Sequence, residues 1–317
     1  MFTPKSALVT GGAGFIGSNL VQLLLDQGLT VRVIDNLSTG YLNNIENLSV
    51  EFIQGDLRSK EIVEEAVKNI DVVFHLAAHI GNVKSLENPT IDAEINSIGA
   101  INLLEAARNA DVERIVYSSS AAIFGELLTM PIDEDHPQNP DSPYGVSKLA
   151  AEKYMLAYAR LYGITTVCLR YFNVYGINQR YDAYGNVIPI FANRLMTGRP
   201  ITIYGTGEQT RDFVNVKDVA RANYLAATRA TQTGVFNLGS GSSITINTLA
   251  AYCQDASGIK ASDIIHEPPR PGEVLHCRAD ISKASAELGF IPDPDILSGL
   301  GDYFDWFKND FIASTTN

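Results

Sequence analysis

The sequence predicts an α/β fold: an open, doubly wound parallel sheet with helices on both faces, followed by a smaller and less regular C-terminal α/β lobe. Three observations carry that expectation. Strand-like and helix-like patterns alternate as far as Arg170. A glycine-rich turn joins the first strand to the first helix. Beyond Arg170 the alternation gives way to segments rich in Tyr, Asn, Gly and Pro. Alternation of this kind reads as successive βαβ units.

The elements follow in order. Ser6–Thr10 is a short apolar run that ends in glycine. Phe15–Gln27 has apolar residues at 16, 20, 23 and 24, a helical period, and Gly28 closes it. Thr30–Ile34 and Val50–Ile53 are β-branched runs, the second ending at Gly55-Asp56. Lys60–Lys68 is helical, Asp71–Leu76 contains the buried-strand run VVFHL, and Asp92–Arg108 is a long amphipathic helix. Arg114–Ser118 is a strand, Tyr144–Tyr162 a long helix, and Ile164–Arg170 the sixth strand. Further on, Ile188–Thr197 is helical, Val214–Thr228 combines a strand end with a helix, and Gly234–Leu238 is a short strand able to rejoin the sheet. Residues 262–280 hold the cluster HEPPRPGE, and helical patterns follow, the last at Gly299–Lys308.

The 317 residues correspond to roughly two domains at about 150 residues each. A composition 45% hydrophobic and 19% charged is that of a globular chain and excludes a disordered one. Asp+Glu 36 against Lys+Arg 24 leaves a net charge of −12. Such a surface repels phosphate backbones and anionic lipid, so neither nucleic acid nor a membrane is an expected partner. The opening MFTPKS leads straight into a short apolar run, unlike a signal peptide, and no stretch approaches the roughly 18 apolar residues of a span. Cys168, Cys253 and Cys277 are odd in number and widely spaced. They suggest free thiols in a reducing cytoplasm rather than a disulfide framework, and no metal site is expected.

The turn after the first strand reads Thr10-Gly11-Gly12-Ala13-Gly14-Phe15-Ile16-Gly17. Gly11 suits a tight turn, Gly14 lets a pyrophosphate approach the backbone, and Gly17 lets helix and strand pack closely. The free N–H groups of Phe15, Ile16 and Gly17 would then face phosphate charge at a helix N-terminus. Asp35 ends the second strand, 18 residues after Gly17. A carboxylate there accepts from both hydroxyls of an adenosine ribose and repels a 2′-phosphate. The following Asn36 and Leu37 offer no Arg for that phosphate, so NAD is expected rather than NADP. Asp56 and Leu57, after the third strand, are placed to flank the adenine.

Ser118-Ser119-Ser120 closes the fifth strand, at the carboxyl edge where open α/β sheets bind ligands. Tyr144 and Lys148 stand at i and i+4 of a predicted helix and share a face, and Pro143 suits its start. Free tyrosine titrates near about pH 10, too high for a base at neutrality. A nearby ammonium and a cationic nicotinamide favour the phenolate, which can take a proton from a sugar hydroxyl while hydride leaves the same carbon.

These motifs resemble those of the extended short-chain dehydrogenases/reductases, and within them the NAD-dependent UDP-sugar 4-epimerases. The matching segments are TGGAGFIG, DNLSTG, GDL, VFHLAA, SSSA, YGVSK, RYFNVYG, IYGTGEQTRDFV, NLGSG and RPGE, in order along nearly the whole chain. The resemblance implies a Rossmann domain over 1–172 with a return segment at 212–239. It implies a nucleotide-sugar lobe made of 173–211 and 240–317. It gives Tyr144 as the base, Lys148 as its partner and ribose ligand, and Ser120 as the hydroxyl that orients the sugar 4-oxygen. Asp35, Asn36, Asp56, Leu57, Ala77, Asn96 and Ser118 would line the NAD cleft, with Tyr171 near the nicotinamide. On the UDP side, Asn173 would meet the diphosphate–sugar region, Asn186 and Val187 would bracket the ligand, and Ile203 and Tyr204 would sit against uracil. Arg211 and Arg270 would hold the two phosphates, where a forked guanidinium suits paired oxygens. Glu273, usually Asp in the family, would accept from the uridine ribose.

Related enzymes share the first step, oxidation at C4 to a 4-keto sugar. The 4,6-dehydratases carry an Asp-Glu pair directly after the active-site Ser/Thr, and here those positions are Ala121 and Ala122. The decarboxylases of UDP-glucuronate usually carry Glu nearby, also missing. What remains is turnover of the ketone and return of the hydride to its other face. Cys277 occupies the family position that limits the sugar pocket. A small residue there resembles enzymes that admit a 2-acetamido group, so UDP-GlcNAc/UDP-GalNAc stand beside UDP-Glc/UDP-Gal. UDP-glucuronate is the nearest alternative, with Arg180 and Lys84 as possible partners for its carboxylate. A 4-ketosugar reductase and a non-catalytic NAD sensor are the rival readings on the same fold. Phe124 stands where the family's VYG turn has Tyr, and His79 where it more often has Gln or Gly. The resemblance also implies a homodimer in which helices 92–108 and 144–162 pair with their mates in a four-helix bundle.

Overall fold

The structure, a computed structural model, describes residues 2–182, 185–269 and 274–316. The first half alternates β1 (Ser6–Thr10), α1 (Phe15–Asp26), β2 (Thr30–Asp35), β3 (Val50–Gln54), α2 (Lys60–Ala66) and β4 (Val72–His75). Then come α3 (Asn82–Glu87), α4 (Pro89–Ala93), α5 (Gly99–Asn109), β5 (Arg114–Ser120), α6 (Pro143–Tyr162) and β6 (Thr165–Tyr171). The second half comprises β7 (Asn173–Tyr175), α7 (Val187–Met196), β8 (Ile201–Tyr204), β9 (Thr210–Arg211), β10 (Phe213–Asn215), α8 (Val216–Arg229) and β11 (Gly234–Leu238). It ends with β12 (Ile244–Thr245), α9 (Ile246–Ser257), β13 (Ile264–Glu267) and α10 (Ile296–Thr316).

Seven strands form one parallel sheet in the order β11-β6-β5-β4-β1-β2-β3. The direction of strand addition reverses between β1 and β4, so a ligand crevice opens beyond their carboxyl ends. Thr10 pairs with both Ile34 and His75, and Ser120 lies opposite Tyr171. The strand expected at Gly234–Leu238 does rejoin the sheet, beside β6.

Alternation along each strand sends successive side chains to opposite faces. Val9 and Phe74 therefore pack with Leu20 and Leu24 of α1 and Val219 of α8. Leu8, Val73 and Ile115 pack on the other face with Leu103 and Leu104 of α5 and Met155 of α6. A third apolar cluster joins α7, α9 and α10 through Phe191, Leu249, Cys253, Tyr303 and Phe304. The short strands of this half form three pairs, β7–β10, β8–β13 and β9–β12.

Three expectations need correction. The helix expected over Asp92–Arg108 starts earlier, at Pro89, and is interrupted by a π turn at Glu94–Ile98. A helix absent from the sequence reading, α9, fills 246–257. Thr245 caps it by accepting from the Thr248 N–H, and Gly258 closes it at φ 69°. The last helix begins at Ile296 rather than Gly299. Among the described residues no helix is long and apolar enough to cross a membrane.

Candidate active site

At the end of β1 the chain turns sharply. Gly11 adopts φ 71°, and the Gly14 N–H donates to the Gly11 carbonyl at 3.1 Å. Gly17 lies so close to this turn that a Cβ would stand 2.1 Å from the same carbonyl oxygen. Gly14 is the N-cap of α1 and no side chain caps the helix; its first turn holds no acidic residue. The first-turn N–H groups of Phe15, Ile16 and Gly17 are thus offered outward with their partial positive charge. Asp35, 7% exposed, accepts from the Ala13 N–H at 3.0 Å and the Leu37 N–H at 2.8 Å. Burial raises its pKa, and the two N–H groups oppose that. Each oxygen keeps a lone pair for a ribose hydroxyl.

Asn36 donates to Asp56 at 2.8 Å, and Arg58 forks onto both Asp56 oxygens at 2.9 Å. The Arg58 guanidinium holds the Asp56 carboxyl well below the usual range. Leu57 is buried, and its carbonyl accepts from Asn102 at 2.9 Å. Ala77, beyond β4, is drawn to β1 by its N–H bond to Thr10 Oγ1 at 3.1 Å. An uncapped helix end, a cradle without side chains and a carboxylate at the neighbouring strand end fit a dinucleotide.

The second group stands on β5 and α6. Ser142 caps α6 by accepting from the Gly145 N–H at 3.2 Å, with Pro143 in the first turn. This start puts Tyr144 and Lys148 on one face, beside the β5 end at Ser118 and Ser120. Lys148 is 3% exposed, and its Nζ lies 4.5 Å from the Tyr117 ring centroid. The sequence reading has the Lys148 ammonium and the positive nicotinamide ring together favour the Tyr144 phenolate, and the second of these charges belongs to the bound cofactor. Burial pushes the phenol up, while the Ser120 hydroxyl acts the other way. Burial also pushes Lys148 down to about 7, against the pull of Asp92.

Two buried networks flank this pair, and the sequence reading missed both. On one side Ser119 donates to Glu152 at 2.6 Å, and Arg170 meets Glu152 at 2.7 and 3.1 Å. The ion pair is closed to solvent, 1% and 0% exposed, and ties α6 to β5 and β6. Its signal was present, since Glu152 follows Lys148 by one helical turn. On the other side Asp92, fully buried, accepts from Ser147 and lies 3.0 Å from His79 Nδ1. Asn96, inside the π turn, accepts from the His79 N–H at 2.7 Å and donates to the His79 carbonyl at 2.9 Å. Its amide also reaches Asp92 and Ser147, so Asn96 sits in this network with both ends of its side chain engaged. His79 is therefore held by backbone and ring together.

The opposite end of the crevice is made by the second half. Asn173, Asn186 and Val187 line one small cavity together with Gln179 and Phe213. Asn173 donates to the Asp212 carbonyl at 3.0 Å. Ile203 departs from the sequence reading: at 1% exposure it points into the core with α7 and α9, while Tyr204 is 36% exposed. β-strand alternation explains the division. Arg211 is half-buried on β9. Cys277 is buried with Ile123, Phe124 and Phe172, a cluster against which Ala121 packs, which brings it toward the Ser120 end of β5. Burial pushes its thiol up to about 12, so it is an uncharged space-filling group at neutral pH. The Tyr171 hydroxyl is taken by Asn223, with an Nδ2 contact at 2.7 Å. Arg270 and Glu273 lie outside the described residues. Arg180 pairs with Asp310 at 2.8 Å, and Lys84 pairs with Asp182. No group of described residues forms a metal-ligand cluster.

Comparison with known proteins agrees with this fold. The family model described as the NAD dependent epimerase/dehydratase family matches residues 7–239. A putative UDP-glucose 4-epimerase of Methanocaldococcus jannaschii is 43% identical over 304 residues, covering 95% of this chain and 98% of that protein. The solved UDP-N-acetylglucosamine 4-epimerase of Methanobrevibacter ruminantium, in complex with UDP-N-acetylmuramic acid, superposes with a TM-score of 0.93 at 37% identity, covering 98% of this chain and 100% of that one. The UDP-glucose 4-epimerase of Thermotoga maritima, with UDP-glucose, gives 0.92 at 37% identity over 96% and 99%. A dTDP-glucose 4,6-dehydratase of Streptomyces niveus is also related, 31% identical over 95% of this chain and 92% of its own length.

Proposed function

The chain belongs to the NAD-dependent epimerase/dehydratase family, and on that premise we propose that it is a UDP-sugar 4-epimerase. The observation that carries the reading is the composition of the β5 end. Tyr144, Lys148 and Ser120 converge there, and the turn that follows Ser120 is Ala121–Ile123, without a proton-transferring side chain. A dehydratase needs a second acid/base group at that place. An epimerase needs only one group that takes a proton from the sugar 4-oxygen and gives it back. Bound NAD would supply the acceptor and donor of hydride at C4 and, when oxidised, a positive ring.

The chain's own residues perform the rest. Ser120 holds the 4-oxygen beside the Tyr144 phenol. Tyr144 moves the proton; Lys148, while its amine is protonated, and the positive ring of bound NAD would oppose the effect of burial on the phenol. Asp92 and Glu152 keep Lys148 protonated more often than burial alone allows. Asn173, Asn186, Val187, Tyr204, Arg211, Arg270 and Glu273 are proposed to hold the UDP portion, with the Ile203 side chain left to the core.

UDP-GlcNAc/UDP-GalNAc and UDP-Glc/UDP-Gal are the proposed substrates, because Cys277 is small where it fills space near the β5 end. The reading of UDP-glucuronate relied on Arg180 and Lys84, and both cations have carboxylate partners within the chain. We further propose a homodimer: α6 and the helix before it expose Ile98, Val146, Tyr154 and Leu161 at 50%, 53%, 42% and 71%. The three free, buried cysteines support a cytoplasmic location.

The deciding experiment offers UDP-GlcNAc, UDP-Glc and UDP-glucuronate separately to purified protein without added NAD, read by proton NMR at H1 and H4. The expected result is a C4 epimer from either of the first two. No epimer from any of the three, even with NAD supplied, overturns the reading and favours a reductase or a sensor.

A further inference from the structure

The segment that follows β7 is tied to more of the molecule than a loop of its length requires. Asn19, one turn into α1, donates to the Ile177 carbonyl at 2.9 Å, and Asn178 donates to Ser18 at 2.9 Å. Tyr303 of α10 donates to the Gln179 carbonyl at 3.1 Å. Asp182 pairs with Lys84 of α3. These ties span the glycine turn's helix, the far side of the crevice and the last helix.

Arg180 lies at the centre of the segment. Its Nε and Nη2 meet one Asp310 oxygen at 3.1 and 2.8 Å. Its Nη1 donates to Asn44 Oδ1 at 2.9 Å, and its guanidinium carbon stands 4.0 Å from the Tyr41 ring centroid. Asn44 then continues the chain: its Nδ2 donates to the Ala13 carbonyl at 2.8 Å. Ala13 belongs to the glycine turn, and its N–H is bonded to Asp35. The two ends of one amide therefore link Arg180 to the turn that would cradle the pyrophosphate and to the carboxylate that would take the ribose. A partly exposed ion pair such as Arg180–Asp310 contributes little to global stability. Its leverage lies in local opening, because a low-cost latch sets how often a loop leaves its closed position.

We propose that residues 177–182 form a strap that holds the dinucleotide turn closed, with Arg180 and Asn44 as positioning residues that slow release of the bound dinucleotide. The inference rests on the NAD site proposed above and adds what keeps the cofactor there. An enzyme that returns to the sugar what it took from it benefits from a cofactor that stays in place through the cycle.

The test measures release of NAD from protein loaded with it, by desalting at timed intervals and quantifying the NAD that remains. Arg180→Ala is expected to speed release by roughly tenfold, since such contacts act mainly on dissociation. Asn44→Asp keeps an acceptor for Arg180 but removes the donor to Ala13, and it is expected to speed release as much. Arg180→Lys keeps the charge for Asp310 but loses the fork, and it falls between. Asp310→Asn is a milder variant that carries the test should Arg180→Ala fold poorly. Turnover in saturating NAD stays within about twofold of wild type, because none of these residues belongs to the Tyr144 group. Unchanged release in Arg180→Ala and Asn44→Asp overturns the strap. So does a lowered melting temperature with unchanged release, and so does wild-type protein that loses its NAD on a single desalting. NAD retained by wild type and shed by the variants, with no epimer formed, removes the reaction and supports the strap.

Discussion

The two ends of the crevice are built from different materials. At the β1 end the ligand-facing groups are backbone N–H donors, fixed by a strand, a turn and a helix that follow one another directly. There the space is so tight that Gly17 cannot carry a Cβ. At the other end Asn173, Asn186, Tyr204, Arg211 and Cys277 come from separate short elements. Their pairings run between segments far apart in sequence, β7 with β10, β8 with β13 and β9 with β12. The first end is fixed by local backbone geometry, and the second is assembled from separate segments whose side chains can vary while the frame stays. Under the proposed function, the difference teaches a division of labour: chemistry on the sheet edge, choice of sugar on the assembled rim.

That division predicts unequal consequences. The largest is at the sheet edge. Tyr144→Phe removes the hydroxyl proposed to move the sugar proton, and turnover should fall by roughly 10³-fold or more. NAD retention should stay at the wild-type level. Measuring both on one preparation decides the matter: a variant that still turns over would break the assignment of chemistry to this edge, and loss of NAD would make Tyr144 a cofactor anchor.

Next is Glu152→Gln. It leaves the Arg170 guanidinium, 1% exposed, without its charge partner. Breaking a buried pair from one side costs about 3–5 kcal/mol, and urea unfolding should show a loss in that range, near its lower limit because the amide still accepts. Little or no loss would mean that the frame under Tyr144 and Lys148 is not held by this pair.

Lys148 gives a smaller and pH-dependent effect. Its folded value of about 7 lies below the ordinary 10.5. Between those values the unfolded chain binds more protons, so the stability that Lys148 withholds at low pH is regained as pH rises. The slope is at most about 1.4 kcal/mol per pH unit. Lys148→Met should make the pH slope of the melting temperature less positive between pH 7 and 9.5. The three buried thiols, pushed up by burial, act in the opposite sense as free cysteine ionises, but equally in both proteins, and the range stops before the raised Tyr144 phenol adds to them. An identical slope in both proteins would show that Lys148 is charged in the folded state.

The same contrast explains what could be read from the chain. β1 through β6 and the helices α1, α2, α5 and α6 are legible because each is a local pattern: Thr30–Asp35 is β-branched, and Phe15–Asp26 has a helical period; the six-residue α3 is too short to show one. The π turn at Glu94–Ile98 is not legible, because it changes the rotation of an otherwise regular helix without altering its apolar pattern. α9 does carry a local signal, since Ile246, Leu249, Ala250 and Cys253 repeat at helical spacing between Thr245 and Gly258. The two-residue strands β9 and β12 were beyond reach, because only their partner across the fold makes them strands. Within the site, Tyr144 and Lys148 stand out by spacing, while Ser120 is singled out within Ser118-Ser119-Ser120 by the family resemblance. Asp92 does not, since a buried acid on a helix looks like any exposed one until packing covers it; Glu152 shares the helix face of Lys148, but that spacing alone does not tell a buried acid from an exposed one.

The mildest prediction tests the rim. Cys277 is buried among Ile123, Phe124 and Phe172 and carries no charge at neutral pH. Cys277→Tyr adds a ring to this cluster on the side that leads to Ser120. Overpacking costs about 1–3 kcal/mol when neighbours cannot give way, so thermal stability must be followed alongside activity. If the rim sets specificity, kcat/KM for UDP-GlcNAc should fall by roughly tenfold more than kcat/KM for UDP-Glc. A discrimination of that size is what one added group in a pocket supplies. Equal losses for both sugars would mean that the new ring disturbs the β5 end itself. The boundary between chemistry and choice would then run through Cys277, with the reaction dependent on a residue of the assembled half.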